Sequence, residues 1–138
     1  MTPFHNALLM CAVANDGVLM KPYVIDHIEG ADNTTVKENI PEIYADLMSK
    51  KDAKKLQKML REVVTDGTGY SLDTDLYTAA GKTGTAENEG KYAHAWFVGY
   101  SNVEDPDLVV CVLVENTGAG SCLLYTSPSP RDRQNSRM

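Results

Sequence analysis

With 138 residues and a formal charge of −6, the chain is long enough to bury a core but carries no concentrated basic patch of the kind that holds nucleic acid or an anionic membrane surface. Its densest lysine run, Lys50 to Lys58, is interrupted by Asp52 and reads as the solvated face of a helix. No apolar run approaches the length of a bilayer span, and Met1 is not followed by a charged and then apolar leader.

Residues 2–15 predict a helix: Thr2 can cap its first turn, Pro3 suits the first helical position, and Phe4, Ala7, Leu8, Cys11 and Ala14 recur at three and four. Gly17 stops it. Residues 18–28 are strand-like with Pro22 as punctuation, and 30–35 form a polar, turn-rich connection. Helical character returns weakly at 41–48 and strongly at 52–64, where Leu56, Met59, Leu60, Val63 and Val64 make one apolar stripe. Gly67 and Gly69 end that helix. A phosphate cradle is the other reading of Gly67-Thr68-Gly69, but no Lys-Ser/Thr follows and a helix ends rather than begins there.

Beyond a loop at 70–75, three strands are expected at 77–85, 93–101 and 108–115. Hairpin-length connections at 86–92 and 102–107 make them antiparallel neighbours. The last strand is nearly continuous in apolar residues, which suits a sheet covered on both faces. Helices followed by antiparallel strands give an α+β fold class. Cys11, Cys111 and Cys122 have neither metal-ligand spacing nor a disulfide framework, and the first two are expected as buried small hydrophobes. His5, His27 and His94 lack any i, i+4 pairing or evident carboxylate partner and read as structural or surface residues, so no metal and no cofactor is implied. Trp96, mid-strand beside Phe97, reads as a core or cleft-lining aromatic.

The chemistry concentrates in Ala80-Gly81-Lys82-Thr83-Gly84-Thr85-Ala86-Glu87, a cationic, glycine-flanked run between two strands. Any given tripeptide turns up in a chain of this length about one or two per cent of the time, so Lys-Thr-Gly needs its context. That context is Thr2-Pro3 opening a helix, Asn15-Asp16-Gly17-Val18 through Lys21-Pro22, Gly67-Thr68-Gly69, Ala95-Trp96-Phe97-Val98-Gly99-Tyr100 and Glu115-Asn116. In this order and spacing, residues 1–121 resemble the C-terminal portion of the transpeptidase domain of class B penicillin-binding proteins.

The resemblance implies a penicillin-binding/serine β-lactamase-like fold and a serine acyltransferase that cross-links peptidoglycan stem peptides and is blocked by β-lactams. It implies that Lys82 supplies a fixed positive charge beside the substrate carboxylate and that Thr83 donates its hydroxyl there. Gly84 would let the peptide lie against the strand, and Thr85 would offer a backbone N–H to the oxyanion hole with its hydroxyl near the carboxylate. The alternatives are a β-lactamase or β-lactam sensor of the same fold, and a non-catalytic binding module. No serine here has lysine three residues on, and none begins Ser-x-Asn, so the nucleophile and its lysine are expected upstream and the chain alone is expected to be inactive. A membrane anchor upstream, a partner glycosyltransferase and a location on the extracytoplasmic face of the bacterial cell membrane are further implications. Residues 122–132 look like one reading frame of a transposon-end sequencing adapter, so 122–138 are expected to be a non-native, disordered tail.

Overall fold

The computed structural model describes residues 1–117, and the expected non-native tail at 122–138 lies outside them. Helix α1 covers Pro3–Ala14, with the Thr2 hydroxyl accepting the His5 N–H at 3.2 Å. It ends where Asp16 and Gly17 take positive φ, 54° and 98°. A side chain at Gly17 would collide with the Met48 carbonyl.

The segment expected as one strand over 18–28 is two. Strand β1, Val18–Met20, and strand β2, His27–Glu29, belong to separate sheets. Strand β2 pairs with β3, Thr35–Glu38, through the polar connection expected at 30–35. The weak helix expected over 41–48 is not formed. Ile43–Asp46 is strand β4, antiparallel to β1 with Val18 opposite Asp46. Ile43 and Tyr44 are strand formers, and the backbone of β1 offers them a ladder that a four-residue helix could not match.

Helix α2, Lys50–Thr65, begins earlier than its apolar stripe because Ser49 caps it: the Ser49 hydroxyl accepts the Asp52 N–H at 3.2 Å and donates to the Asp52 carboxylate at 2.7 Å. Its buried face also differs from expectation. Ala53, Gln57 and Val64 are buried with Leu60 beside them, whereas Leu56 and Met59 are exposed. The rotation follows from Gln57, whose amide donates to the Val13 carbonyl at 2.7 Å and reaches Ala14 O and the Asp16 carboxylate. It thereby satisfies carbonyls that the end of α1 leaves open. Lys54 and Lys50 reach Asp16 at 2.8 and 2.9 Å, so two members of the lysine run are tethered at their tips. Hydrogen bonds from Lys54 first, and then Lys50, hold the Asp16 carboxyl down at about 2.

A 3-10 turn at Tyr70–Leu72 leads to three strands in the expected antiparallel order, β5 Ala79–Asn88, β6 Lys91–Ser101 and β7 Leu108–Val114. The hairpin between β5 and β6 tightens to Glu89 and Gly90, with Gly90 at φ 73°. Asp107 closes the other connection by accepting from Ser101 and Asn102 at 2.8 and 2.6 Å. Met10 and Ala14 of α1 and Leu60 of α2 pack on Ala80, Val98, Tyr100 and Val109, which defines one covered face. Burial, then Asp16 and Glu104, pushes the Tyr100 phenol up to about 12. On the other face Leu72 packs with Ala95, Phe97, Val112 and Val114. Strand β7 is less covered than its composition suggests, since Leu108 and Val110 are exposed. Cys11 and Cys111 are half-buried, with thiols that burial pushes up.

Candidate active-site strand

Lys82, Thr83, Gly84 and Thr85 lie together in the middle of β5, which among the described residues pairs only with β6 and so forms an edge. The ladder decides what that edge presents. The Thr78 carbonyl accepts the Asn102 N–H at 2.8 Å, and bonded and non-bonded pairs alternate along an antiparallel ladder. Lys82↔Val98 and Gly84↔Trp96 are therefore bonded pairs, while Ala79, Gly81, Thr83 and Thr85 turn their backbone N–H and C=O away from β6. Two contacts agree with this: the Arg61 guanidinium donates to the Ala79 carbonyl at 2.9 Å and the Lys82 ammonium to the Thr83 carbonyl at 2.7 Å. An extended ligand would meet this outward-facing row as one strand meets another.

Side chains alternate across the same strand. Lys82 and Gly84 share the face of Val98 and Trp96, whereas Gly81, Thr83 and Thr85 share the face of Phe97. Lys82 and Thr85 are exposed, and Thr83 and Gly84 are half-buried. At Gly84 the fit is tight, since a Cβ there would stand 3.3 Å from the Trp96 Cβ. A closer fit lies three residues earlier. Gly81 pairs with Gly99, and the Phe97 ring lies over both, with its Cζ 2.7 Å and 2.8 Å from where their Cβ atoms would be. A bulky aromatic thus fills the gap left by two glycines and supports the strand beneath Thr83.

Arg61 joins α2 to the start of β5 and also reaches the Asp73 carboxylate at 2.9 Å. Thr68, read from sequence only as part of a helix stop, has its hydroxyl oxygen 2.9 Å from that of Thr83. The signal that could have found it was a hydroxyl residue held between two glycines. Of the histidines, His5 contacts Thr2 at the start of α1, and His94 accepts the Asn116 N–H at 3.1 Å and lies 3.3 Å from the Asn88 amide at the far end of β5. His27, expected without carboxylate partners, has two, Asp26 and Glu29, each at 3.2 Å on an exposed surface. A groove lined by Leu8, Cys11, Asn15, Lys54, Glu104 and neighbours includes no residue of β5. Among the described residues no helix is long and apolar enough to cross a membrane.

An edge strand carrying Lys-Thr-Gly-Thr beside a helix-covered sheet is the class of site used for serine acyl transfer. The family model described as the penicillin binding protein transpeptidase domain matches residues 1–128, and the chain belongs to that family. It is 33% identical over 124 residues to the peptidoglycan D,D-transpeptidase PbpA of Mycolicibacterium smegmatis, an alignment covering 86% of this chain and 25% of that protein. It is 34% identical over 122 residues to the stage V sporulation protein D of Bacillus subtilis, covering 83% and 19%. The D,D-transpeptidase domain of a peptidoglycan glycosyltransferase from Eggerthella lenta superposes with a TM-score of 0.82 at 32% identity, over 99% of this chain and 32% of that one. Penicillin-binding protein A from M. tuberculosis, in its imipenem acyl-enzyme complex, superposes with a TM-score of 0.79 at 27% identity, over 91% and 29%. The chain therefore spans about a quarter of the length of the PbpA relative.

Proposed function

We propose that the whole protein is a peptidoglycan D,D-transpeptidase, acting on stem peptides at the extracytoplasmic face of the bacterial cell membrane, and that Lys82–Thr85 form the substrate-binding wall of its cleft. A serine hydroxyl outside these residues attacks the carbonyl of the penultimate D-alanine, and the terminal D-alanine leaves with the proton. An amine from a neighbouring stem peptide then takes the acyl group and the serine is restored. A β-lactam enters the first step and stalls at the acyl-enzyme. A membrane anchor and a partner glycosyltransferase belong to the same reading.

The observation that carries the proposal is the outward-facing row on β5. Thr83 and Thr85 direct backbone groups away from β6, with the Lys82 ammonium held at the same edge by the Thr83 carbonyl. A carboxylate there meets a point charge and a hydroxyl, and an oxyanion meets the Thr85 N–H, which is the preorganised geometry that acyl transfer needs.

The test is the second-order rate of acylation by a fluorescent penicillin, measured on the full-length enzyme. Lys82→Ala and Thr83→Val are expected to slow it by several orders of magnitude, because both remove charge-assisted contacts. Thr85→Ala keeps its N–H and should cost about tenfold, the worth of one hydrogen bond. Wild-type acylation by Lys82→Ala, or equal damage from Thr85→Ala, would overturn these roles. Hydrolysis of the β-lactam at enzymatic turnover rates would point to a β-lactamase instead.

A further inference from the structure

We propose that Thr68 is a positioning residue for Thr83: its hydroxyl donates to Thr83 Oγ1, so that the one proton of Thr83 is turned outward to the anionic end of the ligand. This rests on the reading of Thr83 as a carboxylate donor.

The placement of Thr68 is built into the chain. The Gly69 N–H bonds the Val63 carbonyl at 2.8 Å, folding residues 67–69 back over the end of α2. A Cβ at Gly67 would stand 2.8 Å from the Val63 carbonyl oxygen and 2.9 Å from Val63 Cα, and one at Gly69 3.1 Å from the same oxygen. Both flanking positions thus suit glycine through close approach, and the residue between them is carried to the edge of β5. The chain then passes from the face where Leu60 packs to the face where Leu72 packs on Ala95 and Phe97. Arg61, bonded to Ala79 O and Asp73 at 2.9 Å each, fixes the same crossing at the strand's start.

The two hydroxyl oxygens are 2.9 Å apart, and either could be the donor. A threonine hydroxyl has one proton and two lone pairs. If Thr83 gave its proton to Thr68, it would present only lone pairs to a carboxylate and repel it. An anion at β5 selects the opposite polarity, with Thr68 donating to Thr83 and Thr83 to the anion, and each bond polarises the next. A valine at position 68 keeps the shape and removes this proton source, whereas a serine retains it.

The experiment compares acylation of the full-length enzyme by benzylpenicillin and by its methyl ester, which has no carboxylate. Thr68→Val should slow benzylpenicillin about tenfold, one hydrogen bond's worth, and leave the ester rate near wild type. Thr68→Ser should acylate at close to the wild-type rate, and Thr68→Val should add nothing in a Thr83→Val background. Thermal midpoints separate folding defects from these effects, and Thr68→Ala serves if the valine variant folds poorly. Equal slowing of acid and ester, serine as damaging as valine, or additive losses with Thr83→Val would overturn the proposal. Wild-type acylation by Thr83→Val would overturn the reading of Thr83 itself and remove the basis for a role of Thr68.

Discussion

The β5–β6 pair and the β2–β3 hairpin are both antiparallel ladders closed by short polar turns, yet their side chains meet different surroundings. In the first, Ala80 and Ala95 are wholly buried, Tyr100 is 3% exposed and Phe97 9%. In and around the second, every residue of β2 and β3 is exposed, and Val24, Val36 and Ile40 are 100%, 69% and 77% accessible. The hairpin is held by backbone bonds and by local contacts such as Thr34 to Asp32 at 2.6 Å. The sheet is held by packing against α1, α2 and residues 70–72. Register in β5 is therefore tied to tertiary contacts, and the outward-facing backbone groups of Thr83 and Thr85 sit where slippage is strongly opposed.

The sharpest way to break this contrast is to overfill the sheet. Gly81→Val should destabilise the folded transpeptidase domain by about 3 kcal/mol, because the Phe97 ring cannot move without disturbing the strand. A denaturant midpoint equal to wild type would show that the glycine pair is not needed for space. Next comes the joint between the helices. Gln57→Leu leaves the Val13 and Ala14 carbonyls without their donor and should cost about 2 kcal/mol, measured by the same unfolding curve.

Asp16 offers a pH test of that joint. Its folded-state pKa lies below its unfolded value, so its contribution is fully present above about pH 4 and is lost as pH falls through about 2. Asp16→Asn should therefore lower stability at neutral pH and flatten the decline in acid, read from thermal midpoints across that window. An unchanged acid slope would mean that Lys50 and Lys54 do not hold the carboxylate in solution. The smallest effect belongs to the hairpin. Val24→Ser should change stability by no more than about 0.5 kcal/mol, and a larger loss would show that this surface is covered in the full-length protein.

Where local rules suffice, the sequence was a good guide. The Thr2 cap with Pro3 marked α1, and the hairpin-length gaps marked the order of β5 to β7, with Lys82 to Thr85 inside the first of these strands. Each of these rests on contacts within a few residues, so the pattern of the chain was enough to predict them. Residues 43–46 and the buried face of α2 were misread because each depends on a partner far along the chain, β1 in one case and the carbonyls at the end of α1 in the other. The same holds for Thr68 and Thr83, fifteen positions apart. Composition could mark the glycines around Thr68 as a stop. Only the packing of α2 along β5 brought that stop to the edge of the sheet, because the backbone of residue 67 had to pass within a side chain's width of Val63.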